Sequence, residues 1–328
     1  MYGRQFACIG LLLVTAAGGT PVRAGQQGVG QVPSSLPLTA PIRERGSSIS
    51  PAYEGWYYEK DGSVRVLVGY FNRNTKQEFD IPVGPGNRIE GIEAGADQGQ
   101  PTHFLPGRQW GVFSIKLPKD FGNKKATWTI VANGFTNTIT MHTQADYIVE
   151  PFADAANKNT PPSIRFKADG PAFMGAPNTI AEKYTATVGV PLALTVWASD
   201  EGPKINIPEP RAGRGRGAAG RGEPAGRGGA AGRDAIPAEF LPAPPLSLTW
   251  SVFRAAAAGQ VKFDNPKPVI DKTDGKATVQ ATFTAPGDYV LRIEGNDSTG
   301  LGGGGFQCCW TNAHVAVIVK PAAGTGGF

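Results

Sequence analysis

Between Lys276 and Ala285 the side chains change sides at every step. Ala277, Val279, Ala281 and Phe283 alternate with Thr278, Gln280, Thr282 and Thr284. A period of two places one set on each face of a strand, and the apolar set then needs a second layer to cover it. The pattern recurs with Leu192, Leu194 and Val196, with Leu246, Leu248, Trp250 and Val252, with Tyr289, Leu291 and Ile293, and with Val315, Val317 and Val319. Nearer the N-terminus, Phe113, Ile115 and Leu117 share a face, and Ile139 and Met141 alternate with Thr138, Thr140 and His142. The runs EGWYYEK and SVRVLVGYF are joined through Asp61-Gly62, and TWTIVA and TNTITMHT through Asn133-Gly134. Both dipeptides signal type I′ hairpins, whose two turn residues need positive φ. No window shows sustained helical periodicity. With 45 Gly and 28 Pro in 328 residues, the chain has the turn residues that many short strands require.

The ends of the chain bear on its compartment. Arg4 precedes a short apolar run, FACIGLLLVTAA, followed by Gly18, Gly19 and Pro21 and then Val22-Arg23-Ala24. A run this short falls below the ~20 residues that span a bilayer, and small residues near Ala24 suit signal peptidase. The expected organisation is a signal peptide over 1–24, a flexible leader over 25–46 and a β-sandwich over 47–152. A linker over 153–162 leads to a second β-sandwich over 163–321, and a tail covers 322–328. The expected location is secreted or periplasmic, with no transmembrane segment in the mature chain. The run from Arg211 to Arg233 belongs to a Gly/Arg-rich insertion, 203–240, between two strands of the second sandwich. Closing a long loop is cheap, and Gly, Ala and Arg without apolar anchors do not order themselves.

Several of these residues carry a resemblance. LSLTWSVF with Trp250, then Phe283, Pro286, Gly287 and Tyr289, then Asn296-Asp297, resemble the bacterial extracellular immunoglobulin-like domains of the PKD and cadherin-like type. The resemblance covers about 161–321. It implies an immunoglobulin-like sandwich there, a fold that hosts adhesion, spacer and docking roles alike. The expected fold class is therefore all-β, with two consecutive antiparallel immunoglobulin-like β-sandwiches.

Charge and chemistry narrow the function. The formal charge is +5. Arg4 and Arg23 account for +2, and the insertion, with six arginines against Glu209, Glu223 and Asp234, for +3. The remainder is neutral and offers no basic folded face for specific nucleic-acid binding. Gly215-x-Gly217-x-x-Gly220 has neither strand before it nor helix after it, so it is no dinucleotide fingerprint. His103, His142 and His314 each stand alone in sequence, without hydrolase or metalloprotease signatures. Ligand candidates are Trp56 and Tyr58, an aromatic patch for a glycan or protein if both face outward, and Asp97 with His103 in a turn-rich stretch. Asp200, Glu201, Asn296 and Asp297 end two strands expected to be the second and sixth of the sandwich; they could converge on calcium, the one cofactor considered, or simply cap their loops. Adjacent Cys308 and Cys309 leave a vicinal disulfide, an intermolecular bridge or buried thiols, and the vicinal ring is favoured in an oxidising compartment. The expected function is a non-enzymatic binding, adhesion or scaffold protein of the cell envelope, with a protein or glycan as partner. The alternatives are an accessory, ligand-docking subunit of a secreted enzyme and a hydrolase with a loop-assembled site.

Overall fold

The computed structural model describes residues 43–92, 95, 97–150, 152, 159–201, 246–256, 259–297 and 309–322. The signal-peptide and leader stretch up to 42, the Gly/Arg-rich insertion and Cys308 lie outside the described residues. The described chain is almost wholly β. Its strands are β1 (Ile49–Tyr58), β2 (Val64–Asn72), β3 (Phe79–Asp80), β4 (Asn87–Glu90), β5 (His103–Phe104), β6 (Gly107–Lys116), β7 (Ala126–Ala132) and β8 (Phe135–Met141). They continue with β9 (Ser163–Arg165), β10 (Ile180–Thr187), β11 (Leu192–Ser199), β12 (Ser247–Arg254), β13 (Val261–Phe263), β14 (Lys276–Phe283), β15 (Gly287–Asn296) and β16 (Trp310–Lys320).

In the first half, the sheet β1-β2-β6 lies over β4-β7-β8, and β3 pairs with β5. Val66, Val68, Phe113, Ile115, Trp128, Ile130 and Met141 fill the space between the sheets. The two hairpin signals come out differently. Asn133 and Gly134 both adopt positive φ between paired Ala132 and Phe135, the two-residue turn their sequence implies. Asp61-Gly62 does join β1 to β2, but only Gly62 has positive φ. The turn runs from Glu59 to Ser63, closed by the Glu59 N–H to Ser63 O bond at 2.8 Å and the Gly62 N–H to Glu59 O bond at 2.9 Å. The Asp61 carboxylate accepts from the Ser63 amide at 2.8 Å, which favours this longer turn over a type I′ turn.

In the second half the sheets are β9-β11-β14-β13 and β10-β16-β15-β12. These are the ABED and CFG sheets of an immunoglobulin-like sandwich, with β10 added in parallel beside the last strand. β11 and β15 are thus its second and sixth strands. The alternating positions meet as the sequence implies: Leu194, Val196, Ala277, Val279, Phe283, Leu291, Ile293, Val315 and Val317 are buried together around Trp250. The register of β12 holds through Leu248 and Trp250 and then slips. Val252 is half-buried on the same cluster, Phe253 points through the opposite face as alternation requires, and a bulge between Val252 and Arg254 then shifts the pairing. Phe253 is buried in the hydrophobic core of the first half.

Trp250 fills the centre of its core, so Trp250→Ala should destabilise the protein by about 3–5 kcal/mol. Denaturant unfolding measures it; a loss below about 1 kcal/mol would place the indole outside the core.

Candidate functional site

The faces that alternation assigns to solvent are, in β15 and β16, covered by the first half of the chain. Arg292, Glu294, Asn296, Asn312 and His314 are all buried. Arg292 is 4 % exposed and uses each of its nitrogens. Nε donates to Asn312 Oδ1 at 2.7 Å, Nη1 to Gln109 Oε1 of β6 at 3.0 Å, and Nη2 to Glu294. Asn296 Nδ2 donates to the other Glu294 oxygen at 2.8 Å. Asn312 Nδ2 reaches back to the carbonyls of Trp110 and Gly111 at 3.1 and 3.2 Å. Charges removed from water survive only when paired and hydrogen-bonded in this way.

Two bulges build the facing half of this seam. β1 slips register between Tyr53 and Gly55, and β2–β6 pairing slips between Val68 and Tyr70. The first bulge aims Glu54 inward, and the second presents the Gly111 amide. Glu54 accepts from Arg108 Nη2 at 2.6 Å and from Gly111 N–H at 2.8 Å. Burial pushes the Glu54 carboxyl up, while the Arg108 guanidinium pulls it back down. Gly69 leaves the room this pair needs: a Cβ there would stand 2.1 Å from Glu54 Oε1. Gly111 does the same for Trp310, whose ring would lie 1.8 Å from a Cβ on a backbone already at φ 48°. Beside the seam, His314 stacks on Phe253 with ring centroids 4.1 Å apart. Its Nε2 meets no hydrogen-bond partner among the described residues. Burial, with Arg292 and Arg254 adding repulsion, pushes its pKa down to about 3.

The seam also holds one of the sequence candidates. Asp97 accepts from Arg254 Nη2 at 2.6 Å and Nη1 at 3.0 Å, an ion pair between the two halves. That pairing holds the Asp97 carboxyl below the usual range. His103 has different partners: Nδ1 lies 2.8 Å from Asp80 and Nε2 3.3 Å from Glu78. Asp97 and His103 are thus each occupied by separate charges. Among the calcium candidates, Asn296 serves Glu294 and Asp297 is buried, accepting from Asn159. Asn159 leads into β9, whose Ser163 faces Ser199 at the end of β11, so the two strand ends do lie at one end of the sandwich. Among the described residues no three His, Cys, Asp or Glu side chains gather into a metal-binding group. Cys309 is buried, at φ 79°, with its sulfur 3.0 Å from Asn159 Nδ2. The vicinal pairing turns on Cys308, outside the described residues.

The aromatic candidates sit on the first hairpin. Tyr58 is 58 % exposed, whereas Trp56 is only 6 % exposed, its indole N–H donating to Gln144 O at 2.7 Å. Tyr58 stands edge-on to Trp56 with centroids 5.2 Å apart. The outward-facing pair is therefore one outward ring braced by one inward ring. Both line a groove of about 800 Å3 with Lys116, Lys119, Phe121 and Thr143, within the size range of small-ligand sites. Tyr58 and Asp61 also edge a second cavity of about 790 Å3, walled by Phe152, Phe173, Met174 and Pro177. The hairpin between them is anchored to the second half. Arg65 pairs with Glu59 at 2.7 Å and donates to Asn178 O at 3.0 Å, and Asn178 Nδ2 returns to Glu59 at 3.0 Å.

Sequence reasoning missed the seam, although a signal was present. In β2 the residues Val66, Leu67, Val68 and Tyr70 are all buried, an unbroken apolar run that implies cover on both faces. Leu67 packs with Tyr57, Ala176 and Trp310 on the face turned away from the first core.

No family model and no curated protein matches the chain. Among solved structures, an S-layer protein, SbsC, aligns at 11 % identity over 85 % of this chain with TM-score 0.22. A tandem of titin immunoglobulin domains aligns at 10 % identity over 84 % with TM-score 0.21. The chain spans 28 % of the S-layer protein and all of the titin tandem. Likeness this weak carries no inference about activity or partner. No helix among the described residues is long and apolar enough to cross a membrane.

His314 makes the seam acid-sensitive. Its folded pKa lies below its ordinary 6.5, so the neutral ring's contribution is fully present above 6.5 and is lost as pH falls toward about 3. Between pH 6.5 and 4.5 the unfolding free energy should drop by about 2 kcal/mol more in the wild type than in His314→Gln. Parallel pH profiles for the two proteins would contradict a buried neutral His314.

Proposed function

We propose that the protein is a non-enzymatic binding module of the cell envelope, with a glycan as ligand in the groove on the β1–β2 hairpin. The observation that carries this reading is Tyr58: an exposed aromatic ring, braced by Trp56, on the wall of a groove with hydroxyl and amide groups around it. A sugar presents apolar ring faces and polar edges, and an aromatic face with Ser63, Asn123 and Thr143 nearby answers both. Binding is favoured over cleavage by the chemistry of the lining. Asp61 is its single carboxylate among the described residues, and glycoside hydrolysis uses two. Anchoring of the hairpin to Asn178 favours a preformed site, which lowers the ordering cost of binding.

A second reading, docking of a partner protein as an accessory subunit, is supported by the apolar wall of the neighbouring cavity, where Phe152 and Met174 are each 41 % exposed.

Affinity gel electrophoresis in a panel of soluble envelope polysaccharides tests the glycan reading. The wild type should be retarded by at least one of them, and Tyr58→Ala should weaken that binding at least about tenfold with an unchanged melting temperature. Retardation by none, or equal retardation of both proteins, would contradict it.

A further inference from the structure

The groove on the hairpin carries an unbalanced charge. Two lysines, Lys116 and Lys119, line it against one carboxylate, Asp61. Lys116 Nζ stands 3.6 Å from Asp61, both side chains more than half exposed, a loose pair that water weakens. Lys119 has no ion-pair partner among the described residues, and the neighbouring Asp120 is taken by Lys124 at 2.9 Å. An exposed ammonium with nothing opposite it is ordinary on an open surface. Here it stands on the wall of a recess with Trp56, Tyr58 and Phe121, where displaced water makes a charge–charge contact stronger than on a flat face. The remaining polar groups named above, Ser63, Asn123 and Thr143, are neutral and suit hydroxyls.

Resting on the glycan reading, we infer that the groove takes an acidic saccharide, a uronic-acid oligomer whose sugar ring lies on Tyr58 and whose carboxylate meets Lys119. The two contacts have separate jobs. The ring contact holds any sugar of suitable shape. The ammonium discriminates, because a neutral sugar leaves it no better off than water does. A carboxylate gains a charge-assisted hydrogen bond. Asp61 sets the limit: it satisfies Lys116 in part and repels a carboxylate close by, so of the oligomer's carboxylates it is the one at Lys119 that is held.

Calorimetric titration of the full chain with tetragalacturonate and with its fully methyl-esterified counterpart separates the two contacts. The probes share ring geometry and differ in charge. At low salt the acid should bind about tenfold tighter than the ester, the worth of one charge-assisted hydrogen bond. Lys119→Gln should reduce the acid to the affinity of the ester, Lys119→Arg should keep the preference, and Tyr58→Ala should weaken both probes. Lys119 is exposed, so its variants should melt with the wild type. Equal binding of acid and ester, still dependent on Tyr58, overturns the acidic preference and leaves the glycan reading standing. A preference that survives in Lys119→Gln overturns the assignment to Lys119. Binding of neither probe overturns the inference, while the polysaccharide panel judges the glycan reading separately.

Discussion

Arg292 is all but cut off from bulk water, and its charge is satisfied from three directions at once. Glu294 lies beside it on β15, Asn312 on the neighbouring β16, and Gln109 across the gap on β6. On the opposite wall Glu54 is held the same way, by the Arg108 guanidinium and the Gly111 amide. Buried ions like these contribute little to stability relative to an apolar contact of the same shape. Removing one partner, however, strands the other, and that penalty makes the geometry of the seam nearly all-or-none. The two sandwiches can meet in the register that pairs every charge, and other registers leave a carboxylate or a guanidinium without a partner.

The apolar contacts follow from that register. With Arg292 and Asn312 seated, Trp310 falls against Gly111, and Phe253 reaches the core of the other half while its carbonyl accepts from Thr102 N–H at 3.1 Å. Arg254 closes the far end on Asp97 and on the carbonyl of Gln100 at 2.8 Å. The near end is closed by Arg65, Glu59 and Asn178, which hold the hairpin that carries Tyr58. A groove on a hairpin tip is ordinarily the softest part of a sandwich. Here the second half supports its base, so the support of the groove and the joining of the sandwiches are one set of bonds.

Much of this was legible in the sequence, and the part that was not has a physical reason. Period-two alternation in β11, β14, β15 and β16 located the second core residue by residue, because the inward side chains there are apolar. The Asn133-Gly134 turn was equally plain. Alternation says which residues face away from a core, but not whether water or protein lies there. Arg292, Glu294 and His314 lie on that other face, and it is protein that covers them. β10 carries weak alternation, with exposed Ile180 and half-buried Tyr184, and only its pairing with β16 defines it. Bulges at Glu54, at Gly111 and beyond Val252 obey no local sequence rule strong enough to announce them, and all three lie beside residues of the seam. Of the ligand candidates, Tyr58 was legible as an aromatic on a hairpin. The lysines of its groove, Lys116 at the end of β6 and Lys119 in the β6–β7 connection, lie more than fifty residues away in sequence, and only the fold brings them near.

Differential scanning calorimetry at neutral pH measures the coupling between the sandwiches directly. If the buried seam joins them as described, the chain unfolds in a single transition whose calorimetric and van't Hoff enthalpies agree, because neither half can lose its fold without exposing the other's charges and Phe253. Two separate transitions, each with the enthalpy of a single sandwich and each unmoved by substitution of Arg292, would contradict the account.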